Sequence, residues 1–315
     1  MNTVTEGRLK RPGSLEKNPR LSQWLRVESG GTVSVFSGKV EIGQGILTAL
    51  AQIAAEELGI ALDRIRMVAA DTAMSPDEGV TSGSLSIQDS GAALRRACAH
   101  ARVLLLERAA VRLGVSTKDL QVDDGSIRAA GRSTTFWECS DATLLDCEVD
   151  ESAILRSPHQ YRVVGKLASR LDLPGKIAGR PHFIQDMVLP GMLYGRTVRP
   201  SHGFSGINSL DEGKVRSMPG IAAIVRDGSF LGVLADREEV AISAQRALRQ
   251  AASWRRTASL PNDVYAWLKE RALDHRVISE KENGEAKSKA VRTFDASYTK
   301  PYISHASIGP SCAVA

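Results

Sequence analysis

At 315 residues the chain has room for two domains, each with its own core. Hydrophobic residues make up 43% and charged residues 24%, the mix of an ordinary globular protein, which argues against disorder outside the ends. The net charge of +5, from 41 basic and 36 acidic residues, is spread too evenly for a nucleic-acid surface, and no apolar run reaches the roughly 18 residues of a membrane span.

Residues 1–20 are polar and basic without an apolar stretch, so they read as a flexible tail rather than a secretory signal. Next, Trp24 to Val27 and Thr32 to Phe36 alternate with period two around Ser29-Gly30-Gly31, the pattern of a hairpin. Lys39 to Glu41 read as a strand end, Gly43-Gln44-Gly45 as a tight turn, and residues 46–58 as a helix closed by Gly59. That helix is apolar except at Thr48, Gln52, Glu56 and Glu57, a pattern of burial on more than one side. A glycine turn at a helix N-terminus offers unpaired amides and a favourable dipole to an anion, and Gln44 can donate and accept at once. The cluster Thr81-Ser82-Gly83-Ser84-Leu85-Ser86 repeats the arrangement before a helical pattern over 89–113. The pair suggests one shared anionic ligand. Each loop alone is also compatible with a plain strand-to-helix connection or an N-cap, and Asp71, after a strand at 65–68, with a turn cap.

The helix ending at Gly114 carries Cys98 on its apolar side. Residues 120–122 and 126–128 flank Asp124-Gly125 as a hairpin, Thr135 caps a short helix at 136–139, and 140–160 read as a connection. Beyond Tyr161, residues 183–186 and 193–198 read as short strands joined by Pro190-Gly191; 221–225 and 230–235 read as adjacent strands, followed by a helix over 237–254. Residues 279–289 form a charged linker. Cys98, Cys139, Cys147 and Cys312 contain no C-x-x-C pair and no His spacing for zinc or an iron–sulfur cluster, so no metal ligand is assigned and a reducing, cytoplasmic compartment fits.

The blocks V-E-I-G-Q-G-I, A-Q-I-A-A-E-E-L-G-I and D-T-A-M-S-P-D-E-G-V-T-S-G-S-L-S-I resemble, in this order, the molybdenum-cofactor-binding large subunit of the xanthine dehydrogenase and aldehyde oxidase family, in its nicotinate dehydrogenase and isoquinoline oxidoreductase branch. The block R-L-D-L-P-G-K-I-A-G-R-P-H-F-I-Q-D resembles the start of that family's α/β hammerhead domain. The resemblance implies an α+β fold, a partial molybdopterin-binding domain interrupted by a hammerhead domain: a first cofactor-binding part at 21–155, the hammerhead at 160–275, and a linker with the start of the continuing cofactor-binding region at 276–315, entered through a strand over 291–298. It implies a molybdenum–molybdopterin cofactor, with a cytosine dinucleotide as one form, contacted by Gly43, Gln44, Gly45, Thr81, Ser82, Gly83, Ser84 and Ser86. Gln44 would bond the pyranopterin or the molybdenum centre, and the serine-rich loop would hold the phosphate or nucleotide arm.

The same resemblance implies an iron–sulfur small subunit with [2Fe-2S] clusters, a cytochrome or flavin electron acceptor, and an N-heteroaromatic or aldehyde substrate oxidised with water as oxygen source. Ser304 stands where xanthine dehydrogenases carry a carboxylate, which makes purines unfavoured, and His305 beside it would lie near the cavity. The stretch ending at Ala315 reads as C-terminally truncated, so the glutamate general base is expected elsewhere and no catalytic residue is assigned. Glu41, Glu56 and Glu57 are expected to cap or face solvent. Two rivals remain: a non-catalytic fragment or interaction module of the family, and a phosphate-binding hydrolase, which lacks any G-x-x-x-x-G-K-[ST] or G-x-S-x-G motif.

Overall fold

Trp24 is the anchor of the N-terminal half: it is fully buried, and its indole Nε1 donates to the carbonyl of Asn18 at 2.8 Å. The computed structural model describes residues 11–141, 143–201, 204–256, 261–271, 274, 276–277, 279–292, 294–309 and 311–315. Residues 11–20 belong to the folded unit rather than to a free tail; the remainder of that expected tail lies outside the described residues. A short helix α1 (Gly13–Lys17) buries Leu15, and the Ser14 amide and hydroxyl both bond the Asp89 carboxylate.

The chain divides into two units, Met1–Arg180 and Pro181–Ala315. In the first, β1 (Leu25–Glu28) pairs antiparallel with β2 (Thr32–Ser37), setting Leu25 against Val35 and Val27 against Val33. Helix α2 (Ile46–Leu58) then crosses over to β3 (Ile65–Ala69), which runs parallel to β2 with Val33 opposite Ile65. This right-sized βαβ crossover leaves the glycine turn between β2 and the first turn of α2. Leu50, Ala51, Ala54, Ala55 and Leu58 of α2 are buried, and α2 packs against α3 (Ala92–Leu113), where Ala93, Leu94, Ala97, Cys98, Ala101 and Leu105 are buried. Small residues at i, i+3 and i+4 let the two helices approach closely. Helix α3 is preceded by one turn of π-helix, Ser86–Gly91, so helical structure begins earlier than residue 89.

The expected hairpin is a three-stranded meander: β4 (Gln121–Asp123), β5 (Ser126–Ala129) and β6 (Arg132–Thr135). Thr135 caps α4 (Phe136–Cys139) as expected, its hydroxyl accepting from the Glu138 amide while the Glu138 carboxylate accepts from the Thr135 amide. Residues 160–180, expected to open the second domain, belong to the first unit and include α5 (Leu173–Ile177).

The second unit holds a sheet ordered β7 (Tyr194–Thr197), β10 (Phe230–Ala235), β9 (Ile221–Asp227), all antiparallel, and a two-stranded ribbon of β8 (Phe204–Leu210) with β11 (Ala252–Arg256). A short helix α6 (Gly213–Arg216) precedes β9, and α7 (Glu238–Ala251) packs on β10 and β7. Val198, Ile207, Val215, Leu231, Val233, Ala244 and Leu248 form the core.

Three expectations are corrected here. The helix ends at Ala251 rather than near Trp254, because residues 252–256 pair with β8 and half-bury Ala252 and Trp254 with period two. Residues 183–186 form a 3₁₀ turn instead of a strand: the Asp186 carboxylate accepts from the amides of His182 and Phe183, closing the backbone locally. The described residues of 291–298 form no strand and are exposed, including Phe294 and Tyr298. No helix among the described residues is long and apolar enough to cross a membrane.

Candidate functional site

The glycine turn is shaped by two residues with positive φ, Gly43 at 103° and Gly45 at 78°, values that L side chains rarely adopt. A Cβ at Gly43 would meet no atom within 4 Å, so this edge of the backbone is open. The anion expected at the N-terminus of α2 is supplied by the chain itself. The Glu41 carboxylate accepts from the amides of Gly43 and Gly45 at 2.9 Å and of Leu47 at 3.3 Å, satisfying donors the helix leaves unpaired. Burial raises the Glu41 carboxyl, but the bonds from Gly45, Leu47 and Gly43 and the charge of Arg170 outweigh it and hold the group below the usual carboxylate range. Gln44 folds back on its own turn, accepting from the Ile42 amide at 2.6 Å and donating to the Val40 carbonyl at 3.0 Å.

The second loop lies beside the first. The Thr81 hydroxyl oxygen accepts from the Val40 amide at 2.9 Å, bridging residues forty-one apart. Beneath this contact, Glu78 accepts from the Ser37 hydroxyl and the Gly38 amide, while Lys39, 1% exposed, donates through Nζ to the Glu78 carbonyl at 2.8 Å. Gly83 and Ser84 both have positive φ, 65° and 58°, turning this loop outward; Ser82 and Ser84 are exposed, and among the described residues the hydroxyls of Ser82, Ser84 and Ser86 make no hydrogen bond to protein. Ser86 opens the π-helical turn, a distortion that is frequent at functional sites. Asp71 bonds the Ala73 amide at 2.8 Å, the turn-cap alternative. Ser304 and His305 are exposed in the second unit, where the Ser304 hydroxyl accepts from the Ala306 amide.

A third segment completes the neighbourhood and was invisible to motif reading. The polar stripe Thr48, Gln52, Glu56, spaced by one helical turn along α2, faces residues 156–172, which run along the helix as a strap. Glu56 accepts from the amides of Arg162, Val163 and Val164 at 2.7–3.0 Å. Gln52 donates to the carbonyls of Val163 and Lys166, and Thr48 accepts from the Leu171 amide. Glu57 accepts from the Arg156 amide and pairs with Arg95 at 2.7 Å. Glu56 and Glu57 are 2% and 1% exposed, so the surface duty expected of them is corrected: both are buried anchors. Glu41, by contrast, does cap the helix. At the end of the strap Arg170 reaches the turn, donating from Nη1 to the Gly43 carbonyl at 2.9 Å. The sequence signals were the i, i+4 polar stripe and an acidic residue just before G-x-G; neither names the partner segment.

Two loops thus adjoin, one presenting neutral hydroxyl donors and the other an open glycine edge. The family model that describes the molybdopterin cofactor-binding domain matches residues 3–170, and the chain belongs to this family, the molybdenum-binding subunits of the xanthine oxidase group. A nicotinate dehydrogenase subunit from Pseudomonas putida is 38% identical over 313 residues, 95% of this chain and 26% of that protein. The beta subunit of isoquinoline 1-oxidoreductase from Brevundimonas diminuta is 26% identical over 328 residues, 89% of this chain and 41% of that protein. The chain therefore spans less than half the length of either relative. Among solved structures, CO dehydrogenase from Oligotropha carboxidovorans matches 36% of this chain and 15% of its own, with 33% identity and a TM-score of 0.33.

Proposed function

We propose that this chain is the N-terminal portion of a molybdenum hydroxylase large subunit, oxidising an N-heteroaromatic compound or an aldehyde with water as oxygen source. The observation that carries the reading is the bridge from the Val40 amide to Thr81, which joins the two loops within the region matched by the cofactor-binding family. The residues present fit the group: free hydroxyls at Ser82, Ser84 and Ser86 suit a phosphate arm, and the open side of Gly43 admits a ligand edge. When bound, the molybdenum cofactor supplies the redox chemistry, and the protein binds and orients it. Gly43, Gln44 and Gly45 then form one wall, with the Gln44 amide exchanging one of its bonds inside the turn for one to the ligand. Thr81, Ser82, Gly83, Ser84 and Ser86 form the other.

On this reading the pterin carries a cytosine dinucleotide, electrons leave through a [2Fe-2S] small subunit to a cytochrome or flavin acceptor, and the α/β hammerhead domain spans residues 160–275, followed by a linker and the start of the continuing cofactor-binding region at 276–315. The relatives' names support the substrate class, since both act on N-heteroaromatic compounds by name.

The test is molybdenum and pterin content of the chain purified with its operon partners, alongside a Ser82→Ala/Ser84→Ala double variant. Stoichiometric molybdenum that falls in the variant supports the hydroxylase. Absence of molybdenum under replete conditions leaves a non-catalytic fragment.

A further inference from the structure

The glycine turn is gripped from outside as well as from within. Arg170 sits 127 residues away in sequence, yet its guanidinium donates to the Gly43 carbonyl at 2.9 Å and approaches the Glu41 carboxylate at 3.4 Å. The planar fork is aimed by Asp172, whose two oxygens accept from Arg170 Nε and Nη2 at 3.0 and 2.7 Å, and Asp172 is held in turn by Lys176 at 2.6 Å. The strap is pinned next to this cluster by the Leu171 amide on Thr48. The Glu41 and Asp172 side chains are 10% and 13% exposed and that of Arg170 30%, and the bond to the Gly43 carbonyl faces solvent.

Each contact has a distinct mechanical effect. Glu41 ties together the amides on both sides of Gln44, and Arg170 fixes the carbonyl between the two glycines. Glycines at positive φ have the widest conformational freedom of any residue, so an unheld G-x-G turn would sample many shapes. A ligand that must meet one shape then loses affinity by the fraction of time the turn spends elsewhere.

We propose that Glu41 and Arg170 are positioning residues which lock the Gly43–Gln44–Gly45 turn into the shape that receives the cofactor, with Arg170 delivered by the strap along α2. The positioning role rests on the cofactor reading above; the latch itself does not. Both residues contact the turn itself. An ammonium has three donors but lacks the rigid planar fork that Asp172 aims through two bonds, so lysine substitutes only in part.

The test uses the full chain with Arg170→Met, Arg170→Lys and Glu41→Gln. Amide hydrogen exchange is read across residues 41–47, with 92–113 as internal reference, and bound pterin is read by fluorescence after release. Arg170→Met is expected to accelerate exchange at 41–47 about tenfold, the value of one charge-assisted hydrogen bond, with 92–113 unchanged. Bound pterin falls in the same variant, and Arg170→Lys recovers part of both. If Arg170→Met also exposes 92–113 it has unfolded, and Glu41→Gln, which keeps the volume and removes the charge, carries the test.

Unchanged exchange at 41–47 overturns the latch whatever the pterin does. Faster exchange with undiminished pterin overturns the positioning role. A wild-type chain without pterin refutes the cofactor reading and the positioning role with it, while exchange still decides the latch.

Discussion

His100 shows how a single buried group sets a pH limit. It sits on α3, 8% exposed, and its Nδ1 accepts from the Asp150 amide at 3.1 Å, a bond that only the neutral ring can make. Burial lowers its pKa, and the opposing pull of Asp150 and Glu107 does not compensate. A group whose folded value lies below its unfolded value near 6.5 stabilises the protein above that value and loses the contribution as pH falls below it. Urea unfolding at pH 7.5 and 5.5 is expected to show lower stability at the acid value, and His100→Gln, whose amide oxygen can still accept from Asp150, is expected to narrow the gap. An equal gap in the variant would assign the pH dependence to other groups. Glu41 illustrates a different point at the same scale: an acidic residue before G-x-G was visible in the sequence, but the three amides it serves became apparent only once the turn was built.

The element that most changed its meaning is α2. Its apolar composition and its closing glycine were legible, and so was a polar stripe with one-turn spacing. The stripe is buried because the strap brings its own unpaired backbone groups to it. Three amides converge on one Glu56 oxygen, an arrangement of charge-assisted bonds on a carboxylate that is 2% exposed. Glu56→Ala leaves these amides without acceptors and is expected to cost about 3 kcal/mol, the usual scale for removing one partner of a buried charged hydrogen-bond set. Denaturant unfolding measures it, and a loss below about 1 kcal/mol, the worth of an ordinary exposed bond, would mean that the strap is held elsewhere. Strand β11 makes the converse case. Local helix preference carries the pattern of α7 on toward Trp254, whereas pairing with β8 ends it at Ala251. Propensity is a weak prior where a partner strand offers a full ladder.

At the scale of the whole molecule, the two units have cores that share no residue: one is built on Trp24, Leu50, Leu94 and Leu105, the other on Leu231, Val233 and Leu248. The docked N-terminal segment and the strap both close the first unit, so residues 1–180 expressed alone are expected to melt in one cooperative transition by circular dichroism. A fragment ending at residue 155, the boundary that motif reading favours, removes the acceptors and donors that face Thr48, Gln52 and Glu56. It is expected to melt at lower temperature or without a cooperative transition. Equal melting of the two fragments would deny the strap any part in the fold.

By itself the sequence determined the family, the βαβ placement of the glycine turn, the caps at Gly59 and Thr135, the second loop and the meander's first hairpin. These follow from local periodicity, turn chemistry and motif order, all of which are carried by residues close together in the chain. Tertiary structure alone decided that Glu56 and Glu57 are buried, that residues 11–20 are docked and that Arg170 grips the turn. Each of these is a match between polar groups 59 to 129 residues apart or a buried charge whose partners are backbone amides. Backbone donors carry no side-chain signature, so the residues that receive them cannot be read from composition or spacing.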